Sequence, residues 1–332
     1  MGVRQRWTES LRSLPERIAP PSRRARHWLL TGSVVAVALV LLLAAVGVQR
    51  GPARTATAAG APGSAGPSPG PSPRPSPEPE PQRGSALAPG RYERLTGAVE
   101  DHLGAQEGRL AIALHDLGGG ATYSYASDER FRTASLVKLN ILVLLLLRAD
   151  DADRALTGEE RDLAERMIRY SDNDVTDVLY ERIGFTPGFV EGNERLGLHA
   201  TEPGAGGAWG ATTTTAADQL RLLRAVFTDA GPLSRRSRAY ARDLLGSVAP
   251  EQAWGVSTAA GDRDLVELKN GWAPQEADAG RWAINSAGRV RGPERDYLIA
   301  VLSDRHGDYA GGIECVEHVV TEVAAAIEED RS

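Results

Sequence analysis

Apolar residues fall along this chain in several distinct rhythms, and each rhythm predicts a different element. Trp28 to Val48 is an unbroken run without charge, close to the roughly 20 residues that an α-helix needs to cross a bilayer, and it predicts a transmembrane helix. From Arg91 onward, Tyr92, Leu95, Val99 and Leu103 recur at helical spacing. Leu110–Leu114 and Ala121–Tyr125 are β-favouring runs joined through Gly118, Gly119 and Gly120, which predicts a hairpin. The run Leu139 to Leu147 is apolar on every side yet too short to span a membrane, as expected of a buried helix. Further helical stretches follow. Strand-like runs return at Leu265–Leu268, Arg281–Ser286 and Tyr297–Leu302, ahead of a closing helix that carries Ile313, Val316, Val319, Val320, Val323 and Ile327. This order predicts an α/β (α+β) domain in which an antiparallel sheet, flanked by terminal helices, is interrupted by an all-helical insertion. Active sites commonly form at such seams.

Composition divides the chain before that domain begins. Residues 1–27 form a basic tail with Arg4, Arg6, Arg12, Arg17, Arg23, Arg24 and Arg26 against only Glu9 and Glu16. Residues 28–48 are the expected anchor, and 49–90 are rich in Pro, Ala, Gly and Ser, a composition suited to an extended spacer. Residues 91–332 are the expected globular unit. The positive-inside bias places the tail in the cytoplasm and the globular unit outside the cell membrane, or secreted if the apolar run is instead a cleaved signal peptide. The net charge of −6 for the whole chain hides this basic end, so the globular part is more acidic than the total, which argues against nucleic-acid binding. A monomer is expected.

Several features carry no chemistry. Cys315 is the only cysteine, so an internal disulfide or thiolate metal site is excluded and the residue reads as a packed hydrophobe. His27, His102, His115, His199, His306 and His318 show no metal-ligand spacing, and neither metal nor cofactor is expected. Asp150, Asp151 and Asp153 read as a helix-end loop. Gly118–Gly120 is a turn, since no helix bearing Lys-Ser/Thr follows it.

The chemistry-bearing residues come in three groups. Ser135 and Lys138 lie three residues apart, on one face of a helix start, where free backbone amides suit an oxyanion. Desolvation by the leucines that follow disfavours the charged form of Lys138 and makes it a plausible base for Ser135. Ser171, Asp172 and Asn173 follow a helical stretch opened by the capping-box pattern Thr157 to Glu160. Lys269, Asn270 and Gly271 end a strand-like run.

In this order the three groups resemble the S-x-x-K, S-D-N and K-T-G set of class A β-lactamases and penicillin-binding proteins, and the resemblance covers nearly all of residues 91–332. Phe131 and the threonines Thr212–Thr215 fit the same pattern. The resemblance implies a five-stranded antiparallel sheet between terminal helices plus an all-helical subdomain. It implies that Ser135 is the nucleophile and Lys138 its base or proton relay. Ser171 would pass a proton to the leaving nitrogen, and Lys269 would supply positive field to Ser171 and to a substrate carboxylate. Asn173, Asn270, Gly271 and Trp272 would contact substrate, Arg281 would bind its carboxylate, and the N–H groups of Ser135 and Trp272 would form the oxyanion hole.

The sequence also departs from that family. The interval from Ser135 to Ser171 is short, which predicts a more open site. Asn270 stands where the family has a threonine or serine, and Trp272 is expected at the pocket mouth. Between Leu196 and Thr215 there is no Glu-x-x-Leu-Asn motif, whose glutamate positions the deacylating water in class A enzymes. Glu202 is the nearest acid and the candidate substitute. The implied substrates are β-lactams or the D-alanyl ends of peptidoglycan stems. A β-lactamase-like hydrolase, a D,D-peptidase or penicillin-binding protein, and a non-turnover membrane-tethered binding module are the three readings.

Overall fold

A computed structural model describes residues 85–331, so the basic tail, the expected anchor at 28–48 and the proline-rich stretch up to residue 84 lie outside the described residues. Among the described residues no helix is long and apolar enough to cross a membrane. The folded unit begins before the expected boundary at Arg91. Strand β1 (Ser85–Ala86) and the first two residues of helix α1 (Pro89–Gly104) fall inside the expected spacer. The reason is local: Leu87 is buried, and Pro89 sits at the first helical position, where its missing N–H costs nothing.

The sheet is built from β2 (Arg109–Asp116), β3 (Ala121–Tyr125), β6 (Leu265–Gln275), β7 (Arg281–Arg291) and β8 (Asp296–His306), all antiparallel, in the spatial order β3-β2-β8-β7-β6. The five expected strands are therefore present, and the short β1 adds a parallel sixth at the β3 edge. Each of the last three strands is longer than its apolar run. Buried polar residues extend them: Asn285, Ser286 and Arg289 in β7 and Ser303 in β8 are hydrogen-bonded within the sheet or to what packs on it.

Alternation along the strands makes two cores. Leu110, Ile112 and Leu114 of β2 and Tyr297, Ile299 and Val301 of β8 face α1 and the C-terminal helix α8 (Tyr309–Arg331). Cys315 lies in this layer with no exposure, and burial pushes its thiol up to about 11, in keeping with a packed hydrophobe. Ala111, Ala113, Ala287 and Ala300 face the other way, where their small side chains let the helical block come close.

That block contains α2 (Val137–Asp151), α3 (Gly158–Arg169), α4 (Asn173–Arg182), α5 (Phe185–Arg195), α6 (Ala216–Phe227) and α7 (Arg235–Leu245). Helix α2 runs through its centre, in contact with α3, α4, α5 and α7, and Leu139 through Leu147 are at most 2% exposed. The expected capping box opens α3, with Glu160 N donating to Thr157 Oγ1 at 3.1 Å and Thr157 N to Glu160 Oε2 at 2.8 Å. Two residue pairs, β4 (Phe131–Arg132) and β5 (Thr213–Thr214), form a small second sheet beside the start of α2.

Candidate active site

Ser135 sits in a single 3₁₀ turn, Ala134–Leu136, that runs directly into α2, and Lys138 follows one turn later on the same side. Their side chains meet: Lys138 Nζ is 3.0 Å from Ser135 Oγ. The turn is fixed from two directions. Asn285 of β7 donates through Nδ2 to Arg132 O at 2.9 Å and to Thr133 O at 3.1 Å. Strand β6 passes so close that a Cβ on Gly271 would lie 2.3 Å from Leu136 N and 2.4 Å from Thr133 O, so only glycine permits this approach. Ala134, immediately before the serine, is left-handed with φ 45°, a conformation that costs about 1 kcal/mol for a residue with a Cβ and that tight packing on both sides enforces.

Ser171 belongs to the link between α3 and α4 and is also left-handed, at φ 57°. Asp172 caps α4 by accepting from Asp174 N at 3.0 Å and is ion-paired to Arg166. That cap turns Ser171 and Asn173 toward the end of Lys138. Lys138 Nζ lies 2.6 Å from Ser171 O, 3.1 Å from Ser171 Oγ and 2.7 Å from Asn173 Oδ1. From the opposite wall Lys269, in mid-strand on β6, brings Nζ to 3.2 Å from Ser171 Oγ. Ser135, Lys138, Ser171, Asn173 and Lys269 therefore converge on one cleft, with Ser135 half-buried and both lysines fully buried.

Burial sets the chemistry of the two amines. It pulls Lys138 down to about 8, against the opposing pull of the Asp172 and Asp177 charges. Lys269 is drawn to about 7, first by burial and then by the charge of Lys138. At neutral pH roughly a tenth of Lys138 is then free amine, against about one part in three thousand for an ordinary lysine. A free amine donates two N–H bonds, here to Ser171 O and Asn173 Oδ1, and can direct its lone pair at Ser135 Oγ. That is the arrangement of a base poised on a hydroxyl.

Other expected residues lie elsewhere. Glu202 is not delivered to the serine: its carboxylate is ion-paired with Arg130 at 2.6 Å, with 61% of the side chain exposed, because Glu202 and Thr213 bridge at the mouth of a surface loop. Arg281 is not at the cleft either. The ladder sets it opposite Gln275, six positions beyond Lys269 and so roughly 20 Å along the sheet, and its guanidinium bonds Asp278. Asn270 points away from the pocket and is buried, donating to Gln252 O at 2.8 Å and Trp254 O at 3.0 Å, so its amide holds the segment behind β6 in place of touching substrate. Alternation turns Trp272 to that same side, where its half-buried indole packs against Trp254 and Tyr309 with ring centroids 5.9 and 6.1 Å apart.

Residues without a sequence signal complete the site. Asn285 braces the nucleophile turn, and Gln252 Oε1 is 3.4 Å from Lys269 Nζ. Trp209, in the glycine-rich loop after Glu202, lies over Lys138 with its ring centroid 5.1 Å from Nζ, so the site is more covered than the short Ser135–Ser171 interval suggested. A lone indole amid alanines and glycines was the one available hint, since such a loop cannot bury it alone.

Comparison with known proteins identifies the fold and the family. The profile of the beta-lactamase enzyme family (Beta-lactamase2) matches residues 94–160 and 155–327. The protein LppW of Mycobacterium tuberculosis, named as a candidate lipoprotein, is 26% identical over 215 residues, covering 63% of this chain and 68% of its own. Among solved structures, a PBP-A mutant captured as an acyl-enzyme with penicillin G superposes with a TM-score of 0.62 at 20% identity, over 74% of this chain and 98% of that one. A class A β-lactamase from Bacteroides cellulosilyticus gives 0.62 at 16% identity, over 72% and 99% of the two chains. The TLA-1 extended-spectrum β-lactamase gives 0.63 at 15%, over 71% and 99%. These structural likenesses establish the fold, and the profile match over most of the chain establishes the family: this protein belongs to the beta-lactamase enzyme family, whose members are serine hydrolases acting on amide bonds.

Proposed function

We propose that this protein is an extracytoplasmic acyl-transferring serine hydrolase that takes amides carrying a nearby carboxylate, β-lactams and D-alanyl peptides alike, through a covalent ester at Ser135. The observation that carries the reading is the convergence of Ser135, Ser171 and Asn173 on the buried amine of Lys138, with Lys269 on Ser171 from the far wall. Lys138 takes the Ser135 proton as Oγ attacks the carbonyl carbon. The C–N bond then breaks, and the departing nitrogen receives a proton through Ser171, whose hydroxyl lies within reach of both amines. The backbone N–H groups of Ser135 and of Trp272, on the edge strand beside the serine turn, receive the developing oxyanion. Asn173 Nδ2 is left to donate to a substrate carbonyl. Lys269 supplies the positive field for the carboxylate, since Arg281 is engaged with Asp278.

A specific observation favours a penicillin-binding or D,D-peptidase role over rapid β-lactam turnover. Glu202, the candidate deacylating base, is held at the surface by Arg130. The outside location rests on the arginine-rich tail followed by the apolar run, and it accords with a relative named as a lipoprotein. The test is exposure of the full chain to penicillin G with intact-mass measurement over time. A persistent adduct that Ser135→Ala abolishes is the expected outcome. Rapid loss of the adduct with turnover of a chromogenic cephalosporin would make the protein a lactamase instead, and no adduct at all would remove the reading.

A further inference from the structure

We propose that Trp209 is a positioning residue that keeps hydrolytic water off the Ser135 ester, with Asp177 as the latch that holds it there; the proposal rests on acylation at Ser135 as read above. The loop from 203 to 212 is closed at its base by a pair of backbone bonds, Glu202 N to Thr213 O and Thr213 N to Glu202 O, both 2.9 Å. Its base is tied down further by the buried bonds of Thr201 Oγ1 to Thr214 Oγ1 and to Asp218 Oδ2, each 2.8 Å. The tip is different. Gly206 and Gly207 are left-handed, at φ 68° and 80°, and Ala208 and Gly210 on either side of the indole are exposed. The ring itself turns inward, half-buried against the core of the helical block. One side-chain bond holds it there: Nε1 donates to Asp177 Oδ1 at 2.7 Å, from a residue on the exposed face of α4.

This placement matters because of what hydrolysis of an ester at Ser135 needs. Water must reach the ester carbon with a base beside it, and among the described residues no carboxylate is hydrogen-bonded to Ser135 or Lys138. The two whose charges act on Lys138 are already committed, Asp172 to the α4 cap and Arg166, and Asp177 to the indole. Lys138 is then the base at hand. In the hydrolytic step its amine would accept a proton from water as the hydroxyl oxygen adds to the ester carbon. The C–Oγ bond would then break, and Oγ would recover the proton from Lys138, leaving a free acid and free Ser135. The two N–H groups of the free amine are taken by Ser171 O and Asn173 Oδ1, its lone pair faces Ser135, and the indole lies over the amine from the side with its centroid 5.1 Å from Nζ. The ring thereby covers one approach to the lone pair that faces Ser135; with the ring withdrawn, water can come in from that side to meet the lone pair and the ester carbon together.

The test follows decay of the penicillin G adduct by intact mass after removal of excess drug, in the full chain and four variants. Trp209→Ala and Asp177→Ala are expected to shorten the adduct half-life at least tenfold, a larger change than either makes to the acylation rate. Trp209→Phe keeps a ring face, and Asp177→Asn keeps an acceptor oxygen, so both should hold adduct lifetimes within about threefold of the parent. In Trp209→Ala, decay should quicken as pH rises through the range where Lys138 loses its proton. Unchanged adduct lifetime in both alanine variants would overturn the proposal, as would a parallel loss of acylation and lifetime that Trp209→Phe and Asp177→Asn fail to rescue. Should Trp209→Ala not fold, the exposed Asp177→Ala decides alone. Absence of any adduct on the parent protein would strike the acylation reading, a result distinct from an adduct indifferent to Trp209.

Discussion

Substituting Gly271 by alanine adds one methyl group and should disable the site out of proportion to its size. The new Cβ would sit 2.3 Å from Leu136 N and 2.4 Å from Thr133 O, where ordinary contact begins at 3.4 Å. Both obstacles are backbone, so neither can rotate aside, and β6 and the serine turn must separate by about 1 Å. That separation draws Lys269 from Ser171 and the edge-strand N–H groups from Ser135, and a displacement of this size at reacting groups lowers rates by about 100-fold. Overpacking of a buried contact costs about 1–3 kcal/mol, which a domain of this size should survive folded. The assay is the second-order rate of labelling by a fluorescent penicillin, with a thermal melt to confirm folding. Labelling at the parent rate by a folded Gly271→Ala protein would refute the close approach and the role assigned to it.

Three further outcomes follow from the same geometry. Acylation needs one of the two lysines free and the other charged, so its rate should trace a bell with flanks near about 7 and about 8, values belonging to the pair; a profile flat from about pH 6 to 9 would contradict it. Both lysines are depressed from 10.5, so the unfolded chain binds more protons and stability should rise with pH between about 7 and 9, by up to roughly 1.4 kcal/mol per unit per lysine. Denaturant midpoints should show this rise and lose part of it in Lys138→Met; Cys315 and Tyr240, pushed up to about 11 and about 12, act in the opposite sense only at higher pH. Glu202→Gln removes an exposed ion pair worth at most about 1 kcal/mol, so adduct lifetime and melting temperature should stay near the parent values; a much longer-lived adduct would restore Glu202 as a base.

Much of this architecture was legible in the sequence because it rests on local rules. The all-apolar run of α2, the capping box at Thr157, the hairpin glycines and the i, i+3 spacing of Ser135 and Lys138 each carry their meaning within a few residues. What failed was register and reach. The apolar run of β6 stops near Lys269, yet pairing with β7 carries the strand on to Gln275, which displaces Arg281 along the sheet and away from the cleft. Alternation past Lys269 then turns Asn270 and Trp272 to the face covered by the C-terminal helix α8, a consequence visible only once the strand is known to continue. Trp209, Gln252 and Asn285 reach the site across long stretches of chain, and the left-handed backbone at Ala134 and Ser171 is imposed by tertiary packing on residues with no preference for it.

The most direct test of the central claim is to locate the covalent bond. After penicillin G treatment and proteolysis of the full-length protein, tandem mass spectrometry of the peptides should find the adduct on Ser135. Lys138→Ala should slow its formation by at least about 100-fold, as expected for loss of the base. An adduct on any other residue, or undiminished labelling in Ser135→Ala, would contradict the account.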